Sequence, residues 1–476
     1  MPRALARELF LQYAPRGEGM TPSRHDPPSP THERSARGGP IAHRCPARQD
    51  LMTPPQQSQF SPRGLSACHE CDLLHRLVPL APGARAYCTR CGALMYREAP
   101  GGVDRALALA LAALGLFLIA NLFPFLALNI EGRVEQNLVV SGVLALWRNG
   151  MPELAVLVAL TSIVFPLLTL SGLLWLLTPL KFARHAPGSA AVMRVINAIG
   201  PWTLLGVFML GALIAFVKLQ DLAAVIPGVS LFAFAGLMLA VTGAVSSFDP
   251  ALLWPRVGPQ PSPRFTPGST AHEHGLEACH ACGLLVQRAH PAAARGHAHC
   301  PRCASPLHGT RKHASLARTW ALVLSAAILA IPANVYPVMT VIRFGQGEPS
   351  TILSGVIHLI AEGMLGLAFI VFFASIVVPG LKIALLVYLL ISVQQRSPWS
   401  PRERTRLYRI TEVVGAWSMV DIFLVGILAA LVNLDALATI TPEIGATFFA
   451  GVVVFTMFAA HSFDPRLIWD HAVRRP

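Results

Sequence analysis

Ser375-Ile-Val-Val-Pro-Gly-Leu-Lys382 places a cation inside a run long and apolar enough to cross a bilayer. Gly363 to Leu381 carries no formal charge, and the apolar pattern resumes at Ile383. A run of that length reads as a membrane helix. Asp421 interrupts Val413 to Leu434 in the same way. An ionisable side chain at that depth costs several kcal/mol, roughly 2.5–3.5 on insertion scales, and marks function more often than not. With a hairpin turn near Arg396–Arg406, Lys382 lies ten residues from Ser392 and Asp421 lies ten from Thr411. At about 1.5 Å per residue each sits roughly 15 Å from the turn, so the two can meet.

The rest of the chain agrees with a membrane reading. Of 476 residues 53% are hydrophobic and 13% charged, which excludes an ordinary soluble domain. The formal charge of +13 suggests nucleic acid at first sight. The cations, however, cluster in the N-terminal tail and in some loops, where they carry topology information, so no nucleic acid is expected. Residues 1–64 are rich in Pro, Arg, Ser, Gly and His, lack helical periodicity, and read as a disordered tail.

The chain repeats itself. Residues 65–98 and 276–309 each carry two C-x-x-C pairs, and 102–254 and 315–470 each carry four apolar segments. A linker covers 255–275. Asn121-Leu-Phe-Pro124 matches Asn334-Val-Tyr-Pro337, Ser162-Ile-Val-Phe-Pro166 matches Ser375-Ile-Val-Val-Pro379, and Ser247-Phe-Asp-Pro250 matches Ser462-Phe-Asp-Pro465. The fold class expected is an all-α polytopic membrane protein, a tandem duplication of a zinc ribbon plus four transmembrane helices, with eight spans in total. Four spans per half make the repeat parallel rather than inverted. Lys181, Arg184 and Arg194 mark one loop, and Arg396, Arg402, Arg404, Arg406 and Arg409 its counterpart. By the positive-inside rule both termini and both ribbons face the cytoplasm.

Cys68, Cys71, Cys88 and Cys91 form one set of thiols, and Cys279, Cys282, Cys300 and Cys303 the other. The gaps between knuckles are 16 and 17 residues. Two C-x-x-C knuckles at such a distance suit a closed, structural Cys₄ zinc site. The spacing also admits iron on the same thiolates. The rival reading, thiol–disulfide chemistry, lacks a βαβ context. His69, His75, His280, His297 and His299 read as solvated, and Cys45 as idle. Trp254 and Trp469 read as interfacial anchors. There is no Walker-type phosphate loop, HExxH or nucleophile elbow, so the chain is not read as an enzyme.

Ser375, Pro379 and Lys382 share one helix face. Their counterparts Ser162, Pro166 and Thr169 keep the face and lose the charge, and Asp421 aligns with Gly206. Lys382 and Asp421 therefore stand as a structural ion pair, as a snorkelling lysine beside an acid, or as a proton- or substrate-coupled switch. Asn121 and Asn334 sit beside Pro124 and Pro337, residues expected to kink spans one and five.

Taken together, Asn-Leu-Phe-Pro-Phe (121–125), Ser-Thr-Ile-Leu-Ser-Gly (350–355), Ala-Ser-Ile-Val-Val-Pro-Gly-Leu-Lys (374–382), Trp-Ser-Met-Val-Asp (417–421) and Phe-Asp-Pro-Arg-Leu-Ile-Trp-Asp (463–470) resemble the paraquat-inducible protein A family. The resemblance covers about residues 65–470. It implies a bacterial inner-membrane protein that partners a periplasmic MCE-domain protein and moves phospholipid or another hydrophobic molecule between membranes. The family's polar membrane positions map onto Lys382, Ser418 and Asp421. Family members often carry an acid in the first half where this chain has Gly206. A membrane redox protein and a non-transporting scaffold are the alternatives.

Overall fold

The computed structural model describes residues 64–470 apart from 131–132, 221–223, 259–267, 288–298, 308–310, 432–437 and a few single positions. The tail with Cys45, and with it His297, lies outside the described residues.

The first half opens with two small hairpins, β1 (Leu65–Ala67) with β2 (Leu74–Arg76), and β3 (Arg85–Tyr87) with β4 (Leu94–Arg97). Each hairpin carries one C-x-x-C knuckle. Helix α1 (Gly102–Leu122) follows, then strands β5 (Leu126–Ile130) and β6 (Arg133–Asn137), then a short helix α2 (Val139–Arg148). The second span is continuous but not uniform: α3 (Pro152–Ala159) widens into a π turn at Leu160–Val164 and continues as α4 (Phe165–Lys181). The third is broken, with α5 (Ser189–Ile199), a 3₁₀ turn at Gly200–Trp202 and α6 (Leu205–Gln220). Strand β7 (Ala224–Pro227) and helix α7 (Val229–Ser247) complete the half.

The second half repeats this element by element. Hairpin β8 (Leu276–Ala278) with β9 (Leu285–Gln287) opens its ribbon. Then come α8 (Ser315–Val335), β10 (Met339–Arg343), β11 (Gln346–Ser350) and α9 (Ile352–Ala361). The next span is α10 (Leu365–Phe372), a π turn at Phe373–Val377 and α11 (Val378–Gln394). The broken span is α12 (Pro401–Gly415), a 3₁₀ turn at Ala416–Met419 and α13 (Val420–Leu431). Strand β12 (Ala438–Pro442) and α14 (Ile444–Ser462) close it. Among the described residues seven helices are long and apolar enough to cross a membrane. The remaining span, the seventh in chain order (residues 401–431), begins with the charged turn of α12 but is built like its partner at 189–220.

Local chemistry explains the irregular places. Pro166 and Pro379 lack the N–H that a regular turn would give to the carbonyls of Ser162 and Ser375, and the π turns just before them accommodate the rings. Pro124 and Pro337 lie beyond the ends of α1 and α8, so they terminate spans one and five rather than kink them. The chain there turns into antiparallel sheets of order β6-β5-β7 and β11-β10-β12, at the bundle end away from the ribbons. These sheets come in addition to the helices and ribbons expected.

The two halves share one core. α6 crosses α13 at Gly211, where an added Cβ would sit 3.1 Å from Phe423 Cβ and 3.2 Å from Val420 O. Phe208 packs on Phe234 (4.8 Å between ring centroids) and on Phe423 of the other half (5.3 Å). The outward faces of α1, α7 and α8 present large apolar residues such as Leu122, Phe232, Leu239 and Ile331. This is the pattern of a lipid-facing surface, and the protein is a multi-pass membrane protein.

The ribbons are exchanged. Ribbon 1 precedes the first membrane half but packs its cysteines with Leu386, Leu389, Leu390 and Val393 of α11, Tyr408 of α12, and Phe463 and Trp469. Ribbon 2 packs its cysteines with Leu173, Leu176, Leu177 and Leu180 of α4 and with Phe248 and Trp254. Trp254 and Trp469, expected at the lipid interface, are buried instead, under the guanidiniums of Arg302 (5.4 Å) and Arg90 (4.5 Å). Ribbon 1 also touches the end of the linker and, through it, ribbon 2. Leu74 N donates to Ser269 O (3.0 Å), Ala271 N to Asp72 O (2.9 Å), and Ala67, Leu74, Leu276, Ala278 and Leu285 form a small apolar cluster between them.

Candidate metal centres and membrane site

Each knuckle is a tight turn closed by backbone bonds to its first cysteine. Asp72 N donates to Cys68 O, Gly92 N to Cys88 O, Gly283 N to Cys279 O and Ala304 N to Cys300 O, all at 2.8–2.9 Å. Gly92 and Gly283 hold φ of +73° and +69°, and Asp72 and Ala304 adopt the same left-handed conformation without being glycine. Two such turns bring four sulfurs together. Cys68–Cys91 and Cys71–Cys88 are 3.5 Å apart, and Cys279–Cys303 and Cys282–Cys300 are 3.5 and 3.6 Å apart. Four sulfurs about 2.3 Å from a tetrahedral zinc would lie about 3.8 Å from one another, so both sets fit a metal ion. All eight cysteines are buried, and none is in a disulfide.

His75, expected in solvent, is half-buried with Nε2 3.2 Å from Cys88 Sγ. Its counterpart in ribbon 2 is Val286. Glu70, between Cys68 and Cys71, is 6% exposed and bonded to Arg409 of α12, whose Nε lies 2.9 Å from both carboxylate oxygens. Burial alone would raise the Glu70 carboxyl, but the His69 and Arg409 contacts outweigh it and hold it below its usual value. Arg409 also donates to Cys91 O (2.9 Å), and Arg402 to Arg90 O (2.6 Å).

In the membrane, the second π turn and the break in span seven set the polar residues. Ser375 is 2% exposed and donates to Val371 O at 2.6 Å. Pro379 is buried in the first turn of α11. Lys382 is 2% exposed, and its Nζ has no hydrogen-bond partner among the described residues. It extends to the last residue of α12, where a Cβ on Gly415 would lie 2.7 Å from Nζ. Ser418, in the 3₁₀ turn, is 1% exposed with its Oγ unpartnered. Asp421 stands in the first turn of α13, but its side chain lies outside the described residues, so the ion pair expected with Lys382 is not among the described contacts. In the first half Ser162 and Thr169 are buried with unpartnered hydroxyls. Asn121 and Asn334 turn back on their own helices, donating to Phe117 O and Ala330 O at 2.8 Å each.

Three features coincide in one chain: paired Cys₄ ribbons, two like-built membrane halves with π turns before Pro166 and Pro379, and a buried lysine at a helix break. The family profile of paraquat-inducible protein A matches residues 103–258 and again 316–473.

The chain belongs to the paraquat-inducible protein A family.

The two matched stretches of this paraquat-inducible protein A member are its two membrane halves. It is 33% identical over 405 residues to the intermembrane transport protein PqiA of Escherichia coli K12, covering 85% of this chain and 95% of that one. It is 30% identical over 414 residues to the lipophilic envelope-spanning tunnel protein A of the same organism, covering 86% and 92%. A probable intermembrane transport protein of Haemophilus influenzae is 28% identical over 404 residues, covering 84% and 95%. No solved structure matches the chain.

Sequence reasoning missed three parts of this site. The Glu70–Arg409 pair joins residues 339 positions apart, and no local pattern announces it. The room at Gly415 is visible only with Lys382 in place. The His75 contact had a signal, a histidine four residues after Cys71, but the same residue would suit solvent equally.

Proposed function

We propose that this protein is an inner-membrane subunit of an intermembrane transport system for phospholipid or another hydrophobic molecule. It acts with a periplasmic MCE-domain partner, and its ribbons are cytoplasmic. The observation that carries the reading is a buried lysine ammonium at a helix break, Lys382 against Gly415, where the first half has Thr169. A buried cation at a helix end, with Asp421 six residues beyond Gly415, suits a site that alternates between paired and separated states and so takes up and releases a proton. The relatives named as intermembrane transport proteins favour this over a scaffold or a redox role.

A small apolar recess lies between the two halves. Phe125, Val139, Val158 and Phe208 of the first half and Phe423 and Ile427 of the second line it, at the end away from the ribbons. Both Cys₄ sets take zinc in this reading, and the metal supplies a cross-link that fixes each ribbon's fold.

The test is exchange of fluorescent phospholipid between proteoliposomes holding this protein and acceptor vesicles. Exchange is expected only when the MCE-domain partner bridges the two. Equal exchange from protein-free vesicles with the partner alone would overturn the proposal.

A further inference from the structure

Three differences between the halves, kept apart by chain order, bear on the charged site. Lys382 stands where the first half has Thr169, Asp421 where it has Gly206, and Glu70 in ribbon 1 where ribbon 2 has Ala281. By chain order Glu70 belongs to the half that lacks membrane charges. In space it sits under the half that has them, because the ribbons are exchanged. The matching place in α5 holds Arg194, but Ala281 offers it no carboxylate, and Arg194 forms no salt bridge among the described residues.

One helix joins ribbon 1 to the membrane site. From Arg409 to Gly415, α12 advances six residues, about 9 Å. It ends at Gly415, against the Lys382 ammonium. The last turn of a helix leaves carbonyls without intrahelical partners and carries the negative end of its dipole, a fit for a cation. In the first half nothing lies within 4 Å of a Cβ on Gly200, the counterpart of Gly415. In this chain one half has both the anchor below the helix and the cation at its tip, and the other has Ala281 and Thr169 at those places.

We propose that Glu70 is a positioning residue for the Lys382 site: the Glu70–Arg409 pair anchors α12 on ribbon 1 and so holds the helix end at Gly415 against the Lys382 ammonium. The inference rests on reading Lys382 as the coupling residue, and it assigns control of the second half's site to the first half's ribbon.

The test uses the full chain with Cys45→Ser and Ser418→Cys, a reporter in the turn that follows Gly415. The rate of its modification by a charged methanethiosulfonate reagent is read in membranes, with metal content measured in parallel. Glu70→Ala is expected to raise the rate by about tenfold or more through local opening. The exchanged pair Glu70→Arg with Arg409→Glu is expected to restore the parent rate, and Arg194→Ala to leave it unchanged. A parent rate in Glu70→Ala, or no rescue by the exchanged pair at full metal content, would overturn the proposal. Should Glu70→Ala lose metal, Arg409→Ala, which changes no residue of the ribbon itself, carries the test at full metal content with the same two outcomes. Labelling reads the coupling whether or not lipid moves, so its failure is distinct from failure of the transport reading.

Discussion

Gly228 and Gly445 show what single residues contribute beyond charge. Each opens a final span, and at each an added Cβ would overlap a carbonyl oxygen, Pro124 O and Pro337 O respectively. Their N–H groups donate to Phe125 O (3.1 Å) and Pro337 O (3.0 Å), so the backbones are locked at that distance. Gly228→Ala and Gly445→Ala must push the chain apart. Each is expected to cost about 1–3 kcal/mol, as overpacking does, and to lower the melting temperature of the purified protein. Gly200→Ala, with open space around it, serves as the control and should leave melting unchanged. The need for these glycines was not legible, because it arises from the carbonyls of Pro124 and Pro337, each about 100 residues earlier in the chain. Lys382 was legible from its charge alone, since an apolar run makes any cation conspicuous. What Lys382 approaches was not legible, because Gly415 has no side chain to advertise a contact.

At the scale of elements, the spans and knuckles could be read because each is written in a local period or spacing. The strands could not. Leu126–Ile130 is apolar and follows an apolar helix, so nothing separates it from a longer span except Pro124. The ribbons are alike in spacing but differ in what surrounds the metal set. His75 bonds Cys88 in ribbon 1, and Val286 replaces it in ribbon 2. Residues that bond a ligating group tune its affinity, by about 10–100-fold when removed. His75→Ala is therefore expected to release metal from ribbon 1 at a lower chelator concentration, with ribbon 2 unaffected. Chelator competition read against a Cys279→Ser background, which leaves only ribbon 1 loaded, checks this.

For the whole molecule, chain order and packing disagree. The duplication suggests two independent modules in a row, each with its own ribbon. The ribbons instead cross, and α6 and α13 join the halves through a shared aromatic core. The crossing makes the halves inseparable while leaving them unequal, since among the described residues only the second carries a buried cation. Exchange between like domains cannot be read from a repeat, because either pairing satisfies the same local patterns. The inequality could be read, and it sets the decisive comparison. Phospholipid exchange with the MCE-domain partner is measured for Lys382→Met and for the mirror-image change Thr169→Val, at equal protein levels. Lys382→Met is expected to abolish exchange and Thr169→Val to keep most of it. Wild-type exchange in Lys382→Met would contradict the account.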